Sequence, residues 1–508
     1  MRPLLAVLAS ALLLAGCAPS NRTVLDAPPA VPMPAEPVVT ATILQLNDVY
    51  EITPVEGGRT GGLARVAALR RHLLEEDDDV LTVIAGDFFS PSALGTARVE
   101  GERLNGKQMV AVLNALGLDL ATFGNHEFDL SEEAFLQRLA ESRFPYVTSN
   151  VTNAQGAPFP NTLPRYVWTV EDGGASATVA FVGVTLASNP KPYVRYADPL
   201  TSLRAAADAL ADSADALVGL THLALEDDMV AAATIPALDL VLGGHEHENV
   251  EVYRGPDFTP VLKADANARS VYVHRLRLHT LSGLVEVRSE LVPITEAWAQ
   301  EPAVAAEVRR WVDLAYAGFA ESGFAPAELV ATTTEPLDGR EASVRNRATA
   351  LTDLIAEAYR REAAAHGTVD LALYNGGSIR IDDVLPPGPV TQYDVIRVLP
   401  FGGNVLTVEM RGATLDSVLT QGVASRGTGG YLQAAGVTRT DGGAWQVGGQ
   451  PLDPGRTYRV AISDFLVTGR ESGLAYLNAE TNPNVRVVGT HRDVRQAVIE
   501  ELRRRYGG

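Results

Sequence analysis

Residues 120–129, Leu120-Ala121-Thr122-Phe123-Gly124-Asn125-His126-Glu127-Phe128-Asp129, join an apolar run of strand length to a turn that carries an amide, an imidazole and two carboxylates. Short apolar runs bounded by turn residues read as strands buried on both faces. The arrangement recurs at three other places. Residues 42–46 lead into Asn47-Asp48-Val49-Tyr50, residues 81–85 into Gly86-Asp87, and residues 238–242 into Gly243-Gly244-His245-Glu246-His247. A fifth run, Val218-Gly219-Leu220-Thr221-His222, ends on another histidine. Layered α/β sheets carry their ligands just past the ends of the strands. The pattern predicts an α/β fold with one site assembled at a common rim from five distant stretches.

These residue types suit a pair of metal ions. Two divalent cations about 3.5–4 Å apart need one bridging carboxylate with imidazole and oxygen ligands on either side, and such a pair activates a water and neutralises phosphoryl oxygens. Asp87 is the expected bridge. One cation would take Asp87, Asn125, His222 and His245; the other would take Asp48, Asp87 and His247. The chain has nine histidines, and four of them fall in these runs, which one shared site explains better than four unrelated turns. The expected chemistry is cleavage of a phosphate ester.

The order and spacing of these runs resemble the calcineurin-like metallophosphoesterases and, within them, the 5'-nucleotidase family. The resemblance implies a four-layer α/β/β/α metallophosphoesterase domain followed by a smaller α+β 5'-nucleotidase C-terminal domain. It also implies that His126 is not a ligand but stabilises the phosphoryl transition state or protonates the leaving oxygen. Asp129, three residues on, would orient that imidazole, because a hydrogen bond to one ring nitrogen fixes the tautomer. The first run departs from the family's Asp-x-His, since Tyr50 stands where the histidine is usual. Two readings of Tyr50 stay open. A phenolate is a hard anionic donor that favours a trivalent metal and would point to iron; otherwise Tyr50 packs or hydrogen-bonds beside the site and a water fills the shell. The expected cofactor is two divalent ions, with zinc, manganese and iron not distinguished.

Helical spacing opens a helix at residues 61–70 and marks another over 105–116, while 301–323 reads as a connecting helix. The alternating segment 271–278 reads as an exposed-face strand closing the first domain, with His274 a solvated residue on it. The expected division is a lipoprotein signal at 1–17, a Pro/Ala-rich tether at 18–39, the metallophosphoesterase domain at 40–300, the connecting helix at 301–326 and a substrate-binding domain at 327–508.

In that last part, Tyr374-Asn375-Gly376-Gly377-Ser378-Ile379-Arg380 follows an apolar run. Gly376 and Gly377 let the backbone approach a ligand closely, and Asn375 and Arg380 offer hydrogen bonds and charge. The segment resembles the Asn-Gly-Gly-x-Ile-Arg signature of the 5'-nucleotidase C-terminal domain. By the same resemblance Arg345 is a substrate arginine, although Ala348 and Thr352-Asp353 depart from the family pattern beside it. Phe401 and Phe465 match the phenylalanines that sandwich a nucleobase, a contact worth about 1–3 kcal/mol per base and tolerant of base identity. The plainer reading, that both are core residues, stands beside it. Glu471 occupies the place of a ribose-binding acid in a loop less glycine-rich than the family's, and its role is open.

Length and charge bound the rest. The chain has 508 residues, 46% hydrophobic, with 62 acidic against 42 basic residues and a formal charge of −20. It can bury more than one core, and its charge argues against a nucleic-acid polymer as partner. Met1-Arg2 precedes an apolar stretch too short to span a bilayer, ending in Leu14-Ala15-Gly16-Cys17. That tetrapeptide resembles the bacterial lipobox, so Cys17, the only cysteine, would be lipidated and would anchor an exported enzyme at the outer membrane, in the periplasm or on the cell surface. The expected reaction is removal of phosphate from nucleoside 5'-monophosphates. Di- and triphosphates, a 2',3'-cyclic phosphodiesterase, a UDP-sugar hydrolase, a thiosulfohydrolase of the same architecture and a non-catalytic nucleotide-binding lipoprotein are the alternatives, and oligomeric state is not legible.

Overall fold

A computed structural model describes residues 36–507. The signal segment, Cys17 and most of the expected tether lie outside the described residues. The first half is built on two sheets. One has seven strands, in the order Val285–Pro293, Ser270–His279, Val38–Leu46, Val80–Ala85, Leu120–Thr122, Tyr146–Val147 and Thr162–Leu163. The other has six, in the order Val250–Arg254, Thr259–Lys263, Leu240–Gly243, Ala216–His222, Ala175–Thr185 and Tyr166–Asp172.

Alternation along the strands dictates the layering. Ile43, Val83, Ala85 and Leu120 of the first sheet share a buried cluster with Phe181, Val218, Leu220 and Leu242 of the second. Their neighbours Leu44, Leu46, Ile84 and Ala121 point the other way, into a cluster with Leu63, Val66 and Leu69 of helix Leu63–Glu76 and Val112 and Leu113 of helix Lys107–Leu116. On the far side, Val182, Val184 and Val241 pack with Leu203 and Ala207 of helix Pro199–Asp208 and Ala231 of helix Leu225–Thr234. Both faces of each central strand are therefore dry, which is why they read as continuous apolar runs. The layers are α/β/β/α, as expected.

Parallel pairing sets the rim. Val38–Leu46 runs parallel to Val80–Ala85, which runs parallel to Leu120–Thr122, and Ala216–His222 runs parallel to Leu240–Gly243. The three candidate ligand turns of the first sheet therefore leave it from one edge, and the two of the second sheet likewise leave from one edge.

One expectation is corrected here. His274 is not a solvated strand residue: it is fully buried, with Nδ1 2.8 Å from Ser289 Oγ and Nε2 2.9 Å from Gln45 Oε1. Its strand is covered on both sides by Val38–Leu46 and Val285–Pro293, and His274 shares the inward parity of Tyr272, Leu276 and Leu278 while Arg275 and Arg277 point outward. Burial pushes the imidazole down to about 3.

Helix Pro302–Glu321 follows, capped by the Glu301 carboxylate on the Val304 N–H, and buries Val304, Val308, Trp311, Ala315 and Phe319 against the first domain's helical layer. The second half carries a five-stranded sheet, Leu432–Ala435, Leu371–Asn375, Thr457–Ser463, Asn404–Arg411 and Val485–Asp493. Helices Ala350–Ala364 and Val494–Tyr506 cover one face and helix Gly412–Ala424 the other. The halves meet through buried polar contacts: Tyr393 Oη donates to Glu51 Oε2 at 3.1 Å, and the Arg397 guanidinium lies 3.8 Å from Glu51 and 3.7 Å from Asp383.

Candidate metal centre

The turns after the parallel strands converge on Asp87. Its Oδ1 accepts the His126 backbone N–H at 2.7 Å; its Oδ2 lies 3.2 Å from His222 Nε2 and accepts from Tyr50 Oη at 3.2 Å. One ligand atom each from Asp48, Asp87 and His222 all lie within 4.8 Å of one another. Asp48 Oδ2 is used up by the Asn47 amide at 2.8 Å and the His245 N–H at 2.9 Å, leaving Oδ1 3.6 Å from His247 Nε2. The His222 and His245 rings sit 5.4 Å apart. Asp48, Asp87, His245 and His247 all have φ between 53° and 92°, a backbone region that non-glycine residues visit at a cost and that clusters at functional sites. Gly124 makes room for them, since a Cβ there would lie 2.1 Å from Asp87 Oδ1.

The donor set fits cations. Asp48 Oδ1, Asn125 Oδ1 and His222 Nε2 are buried and have no hydrogen-bond partner among the described residues. Leaving three such groups dry and unpaired would cost about 1–3 kcal/mol each, and all three present lone pairs. His222 Nδ1 is 2.8 Å from the Ala85 carbonyl, which holds a proton on that nitrogen and so makes Nε2 the one a cation would take. His247 is treated likewise by Asp382, whose Oδ2 is 2.6 Å from its Nδ1. Burial opposes charge on both rings, but Asp87 holds His222 up to about 10, and the Asp382 hydrogen bond with Asp48 holds His247 up to about 9. His245, desolvated beside His222, falls to about 3. The carboxylates of Asp87, Asp48 and Asp382 thus favour positive charge at the His222 and His247 rings, the charge that bound cations would supply.

His126 stands beside these groups. Its Nδ1 is 2.7 Å from Asp129 Oδ2, as the spacing in the sequence implies, and Asp129 is itself held by the Asn189 amide at 2.9 Å and by Ser90 Oγ at 3.1 Å. Burial works against protonation of His126, yet Asp87 and Asp129 raise its pKa. Its Nε2 faces the second domain, with Arg380 Nη2 at 3.3 Å.

Tyr50 is buried with its hydroxyl inside the cluster, 3.0 Å from His247 Nε2, so it points into the site rather than packing away from it. Burial, with Asp87 and Asp48, raises its pKa well above the usual phenol value.

Across the cleft, Arg345 and Arg380 both pair with the Glu341 carboxylate, and the Nε of each is buried without a partner among the described residues. Asn375 Nδ2 donates to Glu471 Oε2 at 3.0 Å, so the amide and the acid form one unit. Gly376 and Gly377 form the turn after strand Leu371–Asn375. Phe401 and Phe465 are not core residues: they are 52% and 41% exposed. Their loops are tied together where Asp464 Oδ2 accepts the Asn404 N–H at 2.7 Å. Phe401 also lines a small recess with Ser90, Arg103 and Asp129 of the first domain.

Sequence reasoning missed three residues. Glu127, inside the quoted motif, is fully buried and accepts backbone N–H groups from Asp87, Phe88, Phe89 and Gly124 at 2.9, 2.7, 3.0 and 2.5 Å. Burial beside Asp87 lifts it to about 7. Lys263, also buried, donates to the carbonyls of Leu223 and Gly244 and pairs with Asp228 and Glu246, pinning the turns of His222 and His245 together. Asp382 lies only two residues past the Asn375 to Arg380 signature, and that proximity was its only signal.

A buried carboxylate, amide and imidazole cluster at the rim of a four-layer α/β/β/α sandwich defines the metallophosphoesterase class. Residues 41–249 match the calcineurin-like phosphoesterase family model, and residues 329–477 match the 5'-nucleotidase C-terminal domain. The chain is 26% identical to the 5'-nucleotidase of Bos taurus over 497 residues, covering 84% of this chain and 83% of that one. Its fold is similar to the crystal structure of a 5'-nucleotidase precursor from Thermus thermophilus, with a TM-score of 0.72 at 25% identity over 92% and 96% of the chains. The sulfate thiohydrolase SoxB of Thermus thermophilus shares the fold, with a TM-score of 0.67 at 18% identity over 91% and 94%. The chain is an enzyme of the 5'-nucleotidase family, joining a calcineurin-like phosphoesterase domain to the family's C-terminal domain.

Proposed function

We propose that this enzyme removes phosphate from nucleoside 5'-monophosphates, with Asp48, Asp87, Asn125, His222, His245 and His247 holding two divalent cations. When bound, such a pair activates a water and offsets charge on the phosphoryl oxygens. The chain's own residues do the rest. His126, aimed by Asp129, stabilises the charge that develops on the phosphoryl group or gives a proton from Nε2 to the leaving 5'-oxygen, and Asp87 and Asp129 favour its protonated form. Arg345, Arg380 and Asn375 would take the phosphate and ribose, with Glu471 orienting the Asn375 amide. Gly376 and Gly377 let their turn pack against the Val344 carbonyl and the Gly429 backbone, where a Cβ would lie 2.7 and 2.9 Å away, and Phe401 and Phe465 would close on the base.

The observation that carries the reading is the set of buried, partnerless atoms on Asp48, Asn125 and His222 around Asp87, faced across the cleft by arginines whose Nε donors are also unpartnered. By its first residues the enzyme would be exported and held at a membrane through lipid on Cys17, where released nucleosides can be taken up. A substrate panel of AMP and other mononucleotides, 2',3'-cyclic nucleotides, UDP-sugars and thiosulfate-type esters tests the assignment. Phosphate release from the mononucleotides should dominate, stop on chelation and return with added metal; preference for another ester, or turnover that resists the chelator, overturns it. Cys17→Ser should move the enzyme from the membrane to the soluble fraction.

A further inference from the structure

We propose that Asp382 is a positioning residue through which the second domain completes the support of the cation at His247, coupling that cation's affinity to the seating of the substrate arginines. The inference rests on His247 being a metal ligand, as the proposed function has it. Asp382 lies 135 residues beyond His247 in sequence, in the other domain, yet its Oδ2 is 2.6 Å from His247 Nδ1. No other hydrogen bond reaches that nitrogen among the described residues. A proton committed to Nδ1 leaves the Nε2 lone pair to face the cluster, with Tyr50 Oη at 3.0 Å and Asp48 Oδ1 at 3.6 Å. His222 needs no such help, because its Nδ1 bonds the Ala85 carbonyl within the first domain. The dependence on the second domain thus falls on one of the two cations.

The other oxygen of Asp382 supplies the coupling. Its Oδ1 accepts the Glu341 backbone N–H at 2.7 Å, and the Glu341 side chain pairs with both Arg345 and Arg380. One carboxylate therefore fixes both the ligand ring and the segment that carries the arginines. Whatever holds His247 in place holds residues 341–345 in place, and linkage makes the effect reciprocal. Asp382 has φ of 41°, in the left-handed region that asparagine also tolerates, so Asp382→Asn removes the charge without disturbing the backbone.

The test titrates manganese into the metal-free full chain against a chelating indicator and follows backbone hydrogen exchange over residues 341–345 and 380–383. The wild type should bind two equivalents, and metal should slow exchange in both segments. His247→Ala should lose one equivalent. Asp382→Asn, with its melting temperature checked, should retain two, one of them weakened about 10- to 100-fold and the other unchanged, and its exchange should no longer respond to metal. If His247→Ala binds both equivalents like the wild type, His247 is not a ligand and the reading of the site beneath this inference fails. If His247→Ala loses an equivalent but Asp382→Asn binds and exchanges like the wild type, the coupling is refuted while the site stands.

Discussion

At the scale of single residues, the site sets candidate ligands beside a candidate proton donor. His222 and His247 spend Nδ1 on a carbonyl and a carboxylate and expose Nε2; His126 spends Nδ1 on Asp129 and exposes Nε2 away from the carboxylate cluster toward the second domain. Ring orientation separates their roles, which residue identity alone does not. Replacing His126 with Asn should lower kcat about 10²- to 10⁴-fold with metal content unchanged, read from kinetics and metal analysis on the same sample. Arg345→Ala should act mainly through KM, because its pairing with Glu341 places it in the substrate cleft rather than among the candidate ligands. For Tyr50→Phe, removing one hydrogen bond to the Asp87 carboxylate should cost about 10- to 150-fold in kcat/KM, or about 1.5–3 kcal/mol, with both metal equivalents retained. A visible charge-transfer band in the wild type that vanishes in this variant would instead make the phenolate a ligand.

At the scale of elements, the ligand turns are short and strained, and buried side chains brace them. Glu127 gathers four backbone N–H groups from the turns of Asp87 and Gly124, so a single carboxylate sets where Asp87 points. Glu127→Gln presents an amide N–H to donors that need an acceptor, and metal affinity should fall at least tenfold while far-ultraviolet circular dichroism is preserved. The strands that lead into the ligand turns were legible in the sequence because apolar runs buried on two faces leave a clear pattern; their order and register were not. Nor were the braces. Glu127 and Lys263 look like ordinary charged residues in sequence, and only the backbone groups brought round them by the fold show what they satisfy.

At the scale of the whole molecule, the buried residues set how stability responds to pH. His274 titrates near 3 in the fold against an ordinary 6.5, so the folded state binds fewer protons than the unfolded one between those values. Its contribution is complete above about pH 6.5 and is lost as the pH falls toward 3, with a slope of at most about 1.4 kcal/mol per pH unit. His274→Gln should flatten the fall of the urea midpoint between pH 6.5 and 4.5 by about one proton's share. The domain junction is buried and ionic, so Glu51→Ala, which strips Arg397 of one of its partners, should destabilise the protein by about 3 kcal/mol, measured by the same unfolding. The sequence alone determined an α/β fold, the rim and the candidate ligands, because hydrophobic periodicity and short motifs are local properties of the chain, while the four-layer order came from the family resemblance those motifs carry. Tertiary structure decided that His274 is dry, that Phe401 and Phe465 are exposed, that the Tyr50 hydroxyl enters the cluster and that Asp382 reaches His247 from the other domain. Those facts depend on which surfaces meet across long stretches of chain, and no local pattern records that.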